Sequence, residues 1–191
     1  MKKFLQMIVK KGTYPILAIT LVSLVGCAAA VKQSSNGPEP IVTNPQKGAG
    51  SIAVTLTASS EVKNNDDWKS FFNEWQSAIP DAATDQNATA VVLDDDTSIP
   101  SSAKILIRIK VNEFRYVSTT KRYLFGIITG NADMNIEADF LGLPSMQLLG
   151  SKNISTTSHT LEGIFSAVTP KQVETVSKLL IQDAQGYTGA N

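Results

Sequence analysis

The sequence predicts an α+β domain: a mostly antiparallel sheet of about five strands, with two helices on one face, in the order β-α-β-β-β-β-α. Three observations predict it. Residues 104–111 and 132–140 alternate apolar and polar side chains at period two, the mark of half-buried strands. Residues 65–79 and 169–185 repeat apolar side chains at three- and four-residue spacing, the mark of amphipathic helices. The strands run together in the middle of the chain with a helix near each end, which suits segregated layers rather than alternating β-α units.

The elements follow in order. Residues 51–57 form the first strand, with Ile52, Val54 and Leu56 on one face and Ala53, Thr55 and Thr57 on the other. The helix over 65–79 aligns Trp68, Phe71, Phe72, Trp75 and Ile79. Asp66 and Asp67 fall in its first turn, where carboxylates favour the helix dipole, and Pro80 is expected to stop it. The aromatic row reads as a helix docked on a sheet, or alternatively as a ligand platform. Ala90, Val91, Val92 and Leu93 make a short buried strand. Asp94, Asp95 and Asp96 follow; they lack the spaced ligands, central glycine and distal glutamate of a calcium loop, so a solvated acidic turn is expected.

The central pair of strands comes next. Ile105, Ile107, Ile109 and Val111 share one face, with Arg108 and Lys110 on the other. Phe114 and Tyr116 fall on the opposite parity, so a bulge is expected near Asn112-Glu113. The partner strand sets Ala132, Met134, Ile136, Ala138 and Phe140 against Asp133, Asn135, Glu137 and Asp139. Antiparallel pairing would set cations opposite carboxylates on a wet face. A turn at 141–144 leads to a last strand over 145–156, with Met146, Leu148 and Ile154 on one face. Thr169, Pro170 and Gln172 read as a capping box with proline at the first helical position. Val173, Val176, Leu179, Leu180 and Ala184 give the last helix its apolar face, Gly186 is expected to end it, and the tail from Tyr187 is expected to fray.

The amino terminus is of another kind. Lys2, Lys3, Lys10 and Lys11 precede an apolar run ending at Gly26, with no acidic residue before Cys27. This is the pattern of a secretory signal, too short for a comfortable membrane span. Leu24-Val25-Gly26-Cys27 resembles the lipobox of bacterial lipoproteins at all four positions. The resemblance implies cleavage before Cys27, a diacylated thiol and an acylated new amino terminus. Cys27 is the only cysteine, so no intramolecular disulfide is possible. The chain thus divides into a signal peptide (1–26), a lipidated flexible tether (27–50) and one domain (51–191). The tether carries Pro38, Pro40, Pro45, Gly37, Gly48 and Gly50. If any of it packs as an edge strand, Ile41-Val42 is the expected place. Loss of the four signal lysines leaves 13 basic against 17 acidic residues, a net charge of about −4. That balance argues against a nucleic-acid partner. Ala28, where enteric lipoproteins retained at the inner membrane carry aspartate, points to the outer membrane, facing the periplasm.

Between the two central strands stand Arg122-Tyr123-Leu124-Phe125-Gly126-Ile127 and Gly130-Asn131-Ala132. With the flanking strands, they resemble the DUF4410-type lipoproteins, a domain of unknown function, over roughly residues 105–182. The resemblance implies a compact envelope module similar to the amino-terminal domain of TolB, with no established activity. Ser155 to Thr160 replace a glycine-rich stretch of that family. Read from the residues alone, Tyr123, Leu124, Phe125 and Ile127 form an apolar cluster in a connection flanked by Arg115, Lys121 and Arg122. Exposed, it is a docking loop for a protein or membrane surface; folded back, it is a lid on the core. His159 is the only histidine and has no neighbouring metal ligands in sequence, and no nucleophile elbow is present. The expectation is a non-catalytic cell-envelope lipoprotein without metal or cofactor beyond the lipid on Cys27. It would bind an envelope protein or itself through Arg122, Tyr123, Leu124, Phe125 and Ile127. The alternative is a small-ligand carrier with a pocket between Trp68, Trp75 and the sheet.

Overall fold

The computed structural model describes residues 30–36, 51–118, 120, 132–157 and 169–188. It is the α+β fold expected, with six strands in the order β1-β6-β5-β4-β2-β3. The strands are β1 (Ala30–Asn36), β2 (Ser51–Ala58), β3 (Ala90–Leu93), β4 (Ala103–Arg115), β5 (Asp133–Gly142) and β6 (Gln147–Thr157). The helices are α1 (Ser60–Lys63), α2 (Trp68–Asp85) and α3 (Thr169–Thr188). Three of the pairings, β1–β6, β6–β5 and β5–β4, are antiparallel. β2 runs parallel to both its neighbours, β4 and β3, because α2 carries the chain back to the start of the sheet before β3.

The core lies between one sheet face and the pair α2 and α3. Alternation places Ile105, Ile107, Ile109 and Val111 of β4 beside Met134, Ile136, Ala138 and Phe140 of β5, all buried. Phe71, Trp75 and Ile79 of α2, and Val173, Val176 and Leu180 of α3, close over them. Each such large side chain stabilises the fold by roughly 1.5–3 kcal/mol on burial. The parity change in β4 is a bulge: Val111 pairs with Ile136 and Glu113 with Asn135, leaving Asn112 as the extra residue. The bulge turns Phe114 inward, where it stacks on Phe71 with ring centroids 4.4 Å apart.

The opposite face is wet only in part. Arg108 lies opposite Asp139, and Lys110 opposite Glu137, with Nζ 3.8 Å from the Glu137 carboxylate. At the end nearer the β5–β6 turn, Ala53, Ala103, Leu106 and Leu141 are buried under Leu93, Ile99 and Leu143. The β3–β4 connection lies across this second small core. Asp96 fastens it, accepting from the buried Thr55 hydroxyl at 2.9 Å and from Arg108 Nε at 3.2 Å. Asp96 is therefore a fastening on the sheet and not part of a solvated turn. Asp95 does remain in an exposed turn, and Thr97 donors hold its carboxyl below the usual range.

Several boundaries differ from expectation. Pro80 lies inside α2, which runs on to Asp85. The missing N–H affects one turn only, and burial of Ile79, Ala82 and Ala83 carries the helix past it. α2 begins at Trp68, so Asp66 and Asp67 precede its first turn; Asn65 Oδ1 accepts from Asp67 N at 2.9 Å. α3 continues through the buried Gly186, and Tyr187 packs on Phe140 at 5.2 Å instead of fraying. A register shift opposite Phe140 and Leu141 makes Leu149 the residue that reaches the main core. Met146 and Leu148 are consequently exposed, where one face with Ile154 was expected. The segment expected as a tether, with an edge strand as the alternative for part of it, contributes β1 along β6. Its backbone ladder compensates for weak apolar content; Ile41-Val42, the expected place for an edge strand, fall outside the described residues.

Candidate functional site

One end of the sheet gathers the chain's unusual features. A single row of register partners crosses it: Ala30 beside Thr157, Thr157 beside Asp133, and Asp133 beside Arg115. Just beyond this row, the start of α3 is clasped to the end of β4. Thr169 N donates to Val117 O at 3.0 Å, and Val117 N donates to Thr169 Oγ1 at 2.8 Å. Gln172 Nε2 donates to Ala132 O at 2.9 Å. Val117, Ala132, Thr169 and Gln172 are all buried, so each bond supplies a partner to a backbone group that water cannot reach. The pair expected to form a capping box thus binds other segments; the residues were rightly singled out, but their partners lie across the fold.

Two titrations mark the same end. Burial, then repulsion by Glu113, raises the Asp133 carboxyl above its usual range, opposed by Arg115. Burial and a 2.8 Å hydrogen bond donated to Glu74 raise the Tyr116 phenol. That bond ties the exit of β4 to α2.

Cys27 and the expected docking residues Arg122, Tyr123, Leu124, Phe125 and Ile127 lie outside the described residues, as does His159. Their flanks do not. Ala30, the first residue of β1, is three residues after Cys27, a reach of about 10 Å. Residues 119–131 connect Ser118 to Ala132, and residues 158–168 connect Thr157 to Thr169. The fold therefore brings the flanks of three segments to one end: the Cys27 segment, the apolar loop and the connection into α3.

The other places that the sequence singled out have structural employment. Trp75 is fully buried and edge-on to Phe71 at 6.1 Å, and Trp68 packs edge-on to Phe114 at 5.9 Å. No group of three or more histidine, cysteine or carboxylate side chains suited to a metal occurs among the described residues. A groove of about 490 Å³ between α2 and α3 is lined by Glu74, Asp81, Asp85 and Glu174 around Lys178. Glu174 and Asp85 approach Lys178 Nζ to 3.0 and 3.5 Å, and the Glu174 bond, first, raises the ammonium's pKa.

No protein-family model matches the chain, and no curated protein matches it. Solved structures do. A point variant of PelC from Paraburkholderia phytofirmans, a dodecamer, is 16% identical with a TM-score of 0.47, covering 82% of this chain and 98% of that one. A second PelC dodecamer from the same organism is 15% identical with a TM-score of 0.45, covering 78% and 97%. Protein XCC0632 from Xanthomonas campestris, of the DUF330 family, is 11% identical with a TM-score of 0.48, covering 85% and 97%. These are likenesses at low identity.

Proposed function

We propose that the chain is a cell-envelope lipoprotein, anchored by lipid on Cys27, whose non-catalytic domain serves assembly with an envelope protein or with itself. The observation that carries this reading is one of placement. Cys27 ends a lipobox-like tetrapeptide, and β1 begins three residues later at the same sheet end from which residues 119–131 leave and return. An acylated Cys27 holds that end close to a bilayer while β1 is paired, at about 10 Å and not at the span of a coil running from Cys27 to Gly50. Ser118 and Ala132, between which Arg122, Tyr123, Leu124, Phe125 and Ile127 fall in sequence, then lie at the membrane-facing end, and a basic-flanked apolar run suits a partner in or on the membrane. The DUF4410-type resemblance belongs to this proposal, as does the outer-membrane location read from Ala28. Acyl chains contribute about 0.8 kcal/mol per buried methylene, so two or more give durable anchoring. The test is metabolic labelling with a palmitate analogue, comparing the parent with Cys27→Ala. Label and membrane flotation confined to the parent support the reading; equal behaviour of the two contradicts it.

A further inference from the structure

We propose that the outer edge of β6 is a strand-acceptor site, and that its occupant in assembly is β1 of a second copy of this chain. Between Val31 and Ser35, β1 is held chiefly by its backbone ladder. Lys32, Gln33, Ser34 and Ser35 are exposed, and Val31 packs against the core. Across the pairing, Lys152 Nζ donates to Gln33 Oε1 at a long 3.5 Å. Such an edge accepts any strand that can complete its ladder.

The link from β1 to β2 makes exchange feasible. Three strands, β6, β5 and β4, separate them, so the lateral gap is four strand spacings, about 19 Å. The 14 residues 37–50 reach at most about 50 Å. That surplus closes the pairing within one chain and equally lets β1 reach a neighbour.

A second copy fits the register that β1 makes with β6. Val31 lies opposite Thr156, Gln33 opposite Ile154 and Ser35 opposite Lys152. An incoming strand must place a small polar residue beside Lys152, whose ammonium is committed to Asp183 at 2.7 Å. Another copy meets this demand by construction, and exchanged pairing repeats the same contacts. If both copies are anchored at Cys27, exchange leaves the anchors at one end of both sheets, on one bilayer. That last point rests on the proposed anchor; the exchange itself does not.

Ser34 and Asn153 are exposed register partners suited to a test. Full-length chains carrying S34C and N153C singly, with tags of different size, are co-expressed, oxidised and mapped by mass spectrometry. The proposal expects linked peptides joining positions 34 and 153 of differently tagged chains, several-fold above a control pairing S34C with S98C. A double variant, S34C/N153C, that links only within its own chain while the co-expressed singles stay at control level overturns it. So does absence of the 34–153 link in both experiments. Repeating the work in the C27A background separates the two claims: heterodimers there sustain exchange whatever the palmitate label shows of the anchor.

Discussion

Lys152 and Asp183 form an ion pair that fastens α3 over the outer strands, with Nζ 2.7 Å from Oδ2 and side chains only 12% and 11% exposed. Lys152 stands opposite Ala138 on the helix-covered face of the sheet, so its charge has almost no access to water. Removing one partner leaves the other charge uncompensated in that place. Lys152→Ala or Asp183→Ala is expected to lower the free energy of unfolding by about 3 kcal/mol. The paired change K152M/D183L is expected to cost less than either single change, because no lone charge remains. Urea denaturation of the four chains checks this.

Gly150 and Tyr187 make a second contact between β6 and α3. A Cβ on residue 150 would run into the Tyr187 hydroxyl and lie 2.7 Å from Cζ, so the ring must move off Phe140. Gly150→Ala is expected to destabilise by about 1–3 kcal/mol. In a Tyr187→Ala background the same change should cost much less. Thermal melts of the double-mutant cycle measure the coupling.

Asp133 gives the fold a pH dependence. Its folded-state pKa is raised, chiefly by burial, so the folded protein binds the proton more tightly than the unfolded chain. The stabilisation tied to that proton is present below the unfolded pKa. It is lost as pH rises through the raised folded value. Stability should therefore fall across the upper carboxylate range, and Asp133→Asn should flatten that slope. Urea midpoints of the two chains at a series of pH values show whether it does.

The Phe125→Asp variant tests the loop. Pull-down from membranes is expected to lose the partners bound by the parent, with circular dichroism unchanged. Retained partners would count against a docking role for residues 122–127.

Much of the fold was legible because alternation and burial coincide. Ile105 to Val111 and Met134 to Phe140 could face only one way, and the parity change at Phe114 located the bulge. β1 was not legible: Lys32, Gln33, Ser34 and Ser35 carry no apolar period, because an edge strand is held by its backbone. Pro80 misled because the local cost of proline was set against propensity alone, when the burial of Ile79, Ala82 and Ala83 decides. The Asp96 fastening was hidden because its partners, Thr55 and Arg108, are 41 and 12 residues away. At the candidate site, Thr169 and Gln172 stood out by type, but their distant partners are not encoded at helix spacing.

The most direct measurement is the intact mass of the chain purified from membranes, with its amino-terminal peptide sequenced. The account predicts a chain that begins at Cys27 and carries diacylglycerol and a further acyl group. A chain that keeps residues 1–26, or that begins at an unmodified Cys27, would contradict it.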